Sequence, residues 1–267
     1  MFKVTTLALA LIAGSANAEN VTIFTGKEGG GYDAAARTVA ERLSQRGHVV
    51  TIVNRNGSDD ITLQACAATG PVMWIAQKDA VWTREMRDGC ALVDVGVHAT
   101  EYAMLFTPPK ARADELDELR ADDAVLVDGV GSGSELTWRT MGAIEAEHGR
   151  GDAWATARAE NATPTRAASM AERGTIQAVM LVRTPQSTDV RRLLEAGWKL
   201  AYLYDRDIND LEWNGTPLYE SVQIEVTDRG RKLGKNYGYA VPSFWGTTAL
   251  VERDYPALFD DMVSAVN

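Results

Sequence analysis

The chain has 267 residues but only two cysteines and three histidines, and no run of Lys or Arg that would form a basic face. Each scarcity removes a class of function. Nucleic-acid binding needs a basic footprint, and none is supplied. His48, His98 and His148 do not lie at ligand spacing from either cysteine, so no zinc-type metal site is expected. Neither Gly-x-Ser-x-Gly nor His-Glu-x-x-His occurs. The Gly26–Gly31 segment is not followed by Gly-Lys-Ser/Thr and lacks Gly-x-Gly-x-x-Gly spacing, which excludes a P-loop and a dinucleotide fingerprint. With no nucleophile, base and metal in register, the expectation is a protein that is not an enzyme and carries no cofactor.

Long apolar runs are also scarce. The one that stands out, Val4 to Ala13, follows Lys3 and precedes Ala16-Asn17-Ala18. This reads as a signal peptide over residues 1–18, cleaved after Ala18, and too short to span a bilayer. A soluble, exported protein in a bacterial periplasm is expected. The net charge of −10 becomes −11 once Lys3 is removed. That balance favours solubility without excluding an anionic ligand, because binding follows the local field of the site. In an oxidising compartment the isolated pair Cys66 and Cys90 reads as one disulfide; two buried free thiols are the alternative.

What the chain does have is a repeated corner. Val21 to Thr25 is a β-branched run that enters Gly26-Lys27-Glu28-Gly29-Gly30-Gly31-Tyr32, and a helix with an apolar face at Ala36, Val39, Ala40 and Leu43 opens at Asp33. Free N–H groups and a positive dipole end at such a helix start suit a small anion, although a tight turn alone would look the same. Similar corners follow. Asn56-Gly57-Ser58-Asp59-Asp60 leads a helix, with Ser58 in the N-cap role. Val72 to Ala76 ends at Gln77-Lys78-Asp79, and Gly131-Ser132-Gly133-Ser134-Glu135 opens another helix with capping-box spacing. Strands are expected separately at 92–97 and 102–107, a charged helix at 114–120, and helices at 163–174 and 256–266. Strands alternating with helices argue for parallel sheets covered on both faces, with ligands at the strands' carboxyl ends.

Individual side chains add detail. Tyr32 sits at the mouth of a glycine loop and can hydrogen-bond a ligand. Arg183, just past an apolar strand, can clamp a carboxylate with two prongs, a solvated surface arginine being the alternative. His98 follows a strand and reads first as structural, with a place in a cleft as the alternative; Trp74 and Trp82 read as core. Asp205, Asp207 and Asn209 alternate as in a calcium loop, but Asp210 and Thr216 stand where an EF-hand needs Gly and Glu, so the segment reads as a polar turn with no metal.

Taken in order, Thr25-Gly26, Gly29-Gly30-Gly31-Tyr32, Asn56-Gly57-Ser58-Asp59-Asp60, Gln77-Lys78-Asp79 and Gly131-Ser132-Gly133-Ser134 resemble the TAXI solute receptors of TRAP transporters. Arg173-Gly174-Thr175-Ile176-Gln177-Ala178 and the tail from Tyr237 through Pro256 to Val266 are similar too. The resemblance implies an α/β, two-lobed type II periplasmic binding fold, each lobe a mainly parallel sheet flanked by helices, with a hinge between them. Lobe I would be residues 19–103 plus 215–267, and lobe II residues 104–214. It implies a ligand set of Gly30, Gly31, Tyr32, Ser58 and Gln77 from the first lobe. From the second come Ser132, Gly133 and Ser134, with Arg183 added from the reading above. A small organic acid would be captured by a monomer and delivered to membrane transporter subunits. A sensing or adaptor module with the same fold is the alternative. The family's Gly-Gly-Thr-Tyr-Tyr loop is Gly-Gly-Gly-Tyr-Asp here, so a hydroxyl and an aromatic are replaced by Gly31 and Asp33.

Overall fold

The computed structural model describes residues 18–267; of the leader expected at residues 1–18, residues 1–17 lie outside the described residues. The first half runs β1 (Asn20–Thr25), α1 (Gly31–Gln45), β2 (Val49–Asn54), α2 (Ser58–Ala67), β3 (Val72–Gln77), α3 (Lys78–Asp88) and β4 (Leu92–Thr107). It continues through β5 (Ala124–Leu126), α4 (Gly133–His148), β6 (Arg158–Glu160), α5 (Ala167–Glu172), β7 (Ala178–Arg183), α6 (Thr188–Glu195), β8 (Lys199–Leu200) and α7 (Arg206–Asp210). The tail holds β9 (Glu212–Trp213), β10 (Thr216–Pro217), β11 (Glu220–Asp228), β12 (Arg231–Thr248), α8 (Ala249–Asp254) and α9 (Pro256–Val266).

One continuous sheet threads the molecule in the order β2-β1-β3-β12-β4-β7-β5-β6. Its two ends are parallel: β1 pairs in parallel with β2 and β3, and β5 with β6 and β7. Between them lie the two longest strands, β4 and β12, antiparallel to each other from Tyr239↔Ala103 to Thr248↔Leu92. These two strands are the crossings that join two sheet-and-helix lobes. Their pairing slips twice, between Ser243 and Phe244 and between Trp245 and Gly246; such bulges bend and twist a strand.

The period-2 alternation of the strands sorts side chains onto two covered faces. In β3, Met73 and Ile75 join a core with Val39 and Leu43 of α1 and Leu258 and Met262 of α9. Val72, Trp74 and Ala76 face the other way, onto Ile61 and Ala65 of α2. In the second lobe, Met180 and Val182 of β7 pack with Trp138 and Met141 of α4. Val179 and Leu181 pack with Met170 of α5 and Val190 of α6. Ile224 and Val226 of β11 join that last core. Trp74 and Trp82 are both buried, as core positions should be.

The disulfide Cys66–Cys90 is formed, tying the end of α2 to the turn after α3 across 24 residues. Among the described residues no helix is long and apolar enough to cross a membrane.

Several local expectations are corrected. The strands at 92–97 and 102–107 are one 16-residue strand, because β12 satisfies the backbone of the intervening residues. The charged segment 114–120 forms only a single 3-10 turn over Leu116–Glu118. The helix at 163–174 is broken into a 3-10 turn and a short α5. The polar turn at 205–209 is a short helix whose N-cap is Asp205, a buried residue whose carboxylate accepts from the N–H groups of Asp207 and Ile208.

Candidate functional site

The carboxyl ends of β1, β2, β3, β5 and β7 point toward one another, and a cleft of about 500 Å³ lies between them. Four helices begin at its wall, α1 at Gly31, α2 at Ser58, α3 at Lys78 and α4 at Gly133. The first N–H groups of a helix have no intrahelical partner, and the positive dipole end lies behind them. The cleft is therefore ringed by four such ends.

The loops that place them are held by side chains. Asp33, buried within α1, accepts from Gly29 N–H at 3.0 Å, from Asn54 at 2.9 Å and from Arg37 at 3.1 Å. The Asn54 and Gly29 hydrogen bonds hold its carboxyl below the usual range. Asp33 thus fastens the glycine loop. Ser132 Oγ caps α4 by accepting from Glu135 N–H, while Glu135 reaches back to Gly131 N–H at 2.6 Å. Ser58 is a correction: Gly57 is the N-cap of α2, and Ser58 Oγ accepts from Gln77 N–H at 3.1 Å. The hydroxyl ties the end of β3 to the start of α2 instead of capping its own helix.

Of the nine residues expected to meet ligand, Gly30, Gly31, Tyr32, Ser58, Gln77, Ser132, Gly133 and Arg183 line this cleft. Ser134 does not. It is buried behind the wall, where its hydroxyl accepts from Val182 N–H at 2.9 Å.

Residues outside the expected ligand set also line the cleft: Lys27, Asn56, Glu101, Asp128 and Thr184, together with His98, which reads from the sequence as structural. His98 and Glu101 sit in the middle of β4, where the hydrophobic alternation breaks. That break, read as a gap between two strands, was the signal. Tyr32 OH approaches Glu101 Oε2 at 3.5 Å. Burial, then the Glu101 charge, pushes the Tyr32 phenol upward, so it is a neutral donor. Burial raises the Glu101 carboxyl, with Arg183 acting against it. His98 meets Tyr32 and Trp245 edge-on, at 5.5 and 6.1 Å between ring centroids, and burial lowers its pKa. Arg183 donates to Asp128 Oδ2, and to Val182 O at 2.8 Å.

The two lobes touch along the cleft. A Cβ on Gly57 would lie 1.7 Å from Gly131 O, and one on Gly133 would lie 2.4 Å from the Gln77 amide. Arg139 of α4 reaches Asp59 of α2 at 3.3 Å. Within lobe I as bounded above, Lys78 donates to Thr216 and to Pro217 O, at 2.9 and 2.6 Å.

No protein-family model matches this chain, and neither does any curated protein. Solved structures do. The periplasmic aliphatic sulphonate binding protein SsuA from Escherichia coli is 14% identical, with a TM-score of 0.53 over 93% of this chain and 71% of that one. A TctC solute binding protein from Polaromonas, solved with no ligand, is 14% identical, with a TM-score of 0.50 over 93% and 83% of the two chains. The alkanesulfonate-binding protein SsuA from Xanthomonas axonopodis pv. citri, bound to MOPS, is 13% identical, with a TM-score of 0.50 over 92% and 71%. At these identities the likeness is one of fold: this chain has the two-lobed α/β architecture of periplasmic binding proteins, with the cleft between the lobes.

Proposed function

We propose that the protein is an extracytoplasmic solute receptor that captures a small organic anion between its lobes and delivers it to a TRAP-type membrane transporter. It performs no chemistry on the ligand. The observation that carries this reading is the convergence of four helix N-termini and the Arg183 guanidinium on one interlobe cleft. Helix starts favour anions, and a guanidinium fork matches a carboxylate or sulfonate. Two of the five Arg183 N–H groups are engaged by Asp128 and Val182, which leaves others for a ligand and fixes the fork.

Function would come from closure. β4 and β12 form the hinge, and a ligand touching both lobes stabilises the closed form by its differential affinity. The order of the glycine and hydroxyl corners supports a TAXI-type receptor acting as a monomer, exported by the leader at residues 1–18. A second reading, a sensing or adaptor module without transport, draws on the acidic pair Glu101 and Asp128, which offsets much of the positive field in the cleft.

Native mass spectrometry of protein purified from cells, followed by calorimetry and small-angle scattering with carboxylates and sulfonates, tests the receptor reading. A co-purified anion and a ligand-dependent contraction are expected. Protein that carries no small molecule and neither binds nor contracts with any of these anions would rule it out. A neighbouring gene for a membrane permease would favour transport, and a neighbouring kinase would favour sensing.

A further inference from the structure

Away from the cleft, the second lobe gathers three carboxylates. Glu145 lies near the end of α4, Asp152 in the loop that follows, and Asp205 at the N-cap of α7. One oxygen from each lies within 4.8 Å of the others. Glu145 is fully buried and Asp205 nearly so.

Their hydrogen bonds are unevenly distributed. Glu145 Oε1 accepts from the N–H groups of Gly151 and Asp152, at 2.8 and 2.9 Å. Glu145 Oε2 is buried with no hydrogen-bond partner. Among the described residues, no Lys, Arg or His forms an ion pair with any of the three. Burying a carboxylate oxygen without a partner is costly, and three carboxylates converging without a counter-charge compound that cost. A hard cation removes both problems together.

We propose that Glu145, Asp152 and Asp205 bind one calcium ion. Calcium takes oxygen ligands at about 2.3–2.6 Å, so two ligands on opposite sides of the ion stand about 4.6–5.2 Å apart. The observed spacing fits within that sphere. Magnesium holds its ligands closer and keeps several waters, so a cage of protein carboxylates suits it less well. The ion would pin the loop after α4 to the start of α7. Through the Asp205 backbone, which bonds Tyr239 OH at 2.6 and 2.8 Å, it would also steady the hinge strand β12. The sequence alternation Asp205, Asp207, Asn209 contributes one ligand, and the other two come from elsewhere in the chain.

The test uses the purified exported protein stripped with EDTA. Trp154 lies two residues from Asp152 and packs edge-on against Trp138 of α4 at 5.7 Å, so tryptophan fluorescence reports on the loop. Calcium chloride is titrated by fluorescence and calorimetry, with magnesium chloride in parallel. One saturable site per chain is expected, with Kd on the order of 10⁻⁴–10⁻³ M, as in extracellular modules. A raised melting temperature should accompany it. Asp152→Asn should weaken binding at least about tenfold, while the exposed-site control Asp260→Asn should not. Asp152 is chosen because Asp205→Asn would also disturb a helix cap. Folded protein, checked by circular dichroism, that gives no heat and no melting shift at calcium about tenfold above that range overturns the proposal. Binding left unchanged by Asp152→Asn overturns it equally.

Discussion

Thr137 Oγ1 of α4 donates to Asp79 Oδ2 of α3 across the lobe boundary at 2.6 Å. Tyr219 OH donates to the same oxygen at 2.9 Å, and Asp79 Oδ1 is buried with no partner. A fully buried carboxylate from the first lobe is thus held by a hydroxyl of the second, Thr137, together with the Tyr219 hydroxyl. The Thr137–Asp79 contact latches the lobes at a carboxyl buried away from solvent.

Burial raises the Asp79 carboxyl above its ordinary value of 3.8, against the two hydroxyl hydrogen bonds. A raised folded-state pKa means that the folded chain binds a proton before the unfolded chain does as pH falls. The contribution of this group is therefore fully present below the unfolded value near 3.8 and is lost as pH rises through the folded value. Urea denaturation of the wild type and Asp79→Asn across that window should show the stability difference shrinking as pH falls. Asp79→Ala strands two buried hydroxyls and should cost about 1–3 kcal/mol for each. A difference independent of pH would mean that the folded and unfolded chains bind the Asp79 proton equally well, so that burial does not raise this carboxyl.

Gly57 tests closure. A side chain there would run into the Gly131 carbonyl of the other lobe. Gly57→Ala should keep both lobes folded yet hold the cleft open. The expected readouts are an enlarged radius of gyration in scattering and at least about a tenfold loss of ligand affinity, since the binding-competent form is rarer. Unchanged scattering would show that the backbone yields locally.

Glu101 decides the charge of the ligand. If the ligand is an anion, a carboxylate beside Tyr32 and Arg183 opposes it until protonated, and burial already favours protonation. Binding should then tighten as pH is lowered from neutral toward the ordinary value of 4.5, and Glu101→Gln should flatten that dependence while raising affinity at neutral pH. Affinity that collapses in Glu101→Gln would point to a cationic group on the ligand.

Arg183 is expected to supply the directional contact. Arg183→Lys keeps the charge but loses the fork, so calorimetry should show a loss of about 1.5–3 kcal/mol in binding. Folding stability should change less, because the side chain sits at the cleft wall. Equal affinity in both proteins would remove Arg183 from the binding set.

Removal of the Cys66–Cys90 link by a double Ala substitution should cost about 3 kcal/mol in the chain-entropy picture for a loop of this size. Chemical denaturation with and without reductant measures it. No change would mean that the first lobe is already fully determined by its packing.

The sequence by itself determined the alternating strands and helices and the glycine corners that open α1 and α4; the two-lobed class and most of the ligand set came from the resemblance those corners carry in order, and eight of the nine named residues line the cleft. The corners themselves are local. A β-branched run ending in glycines makes a strand, a turn and a helix start wherever the pattern occurs, as β1 and α1 show. Tertiary structure decided what depends on residues distant in the chain. It merged 92–107 into one strand because β12 lies alongside, turned Ser58 from a cap into a tether for Gln77, and buried Ser134 beneath Val182. It brought Glu101, Asp128 and Arg183 to one wall of the cleft. No spacing along the chain encodes that meeting, because burial and electrostatic fields act through space, between side chains that only the folded sheet brings together.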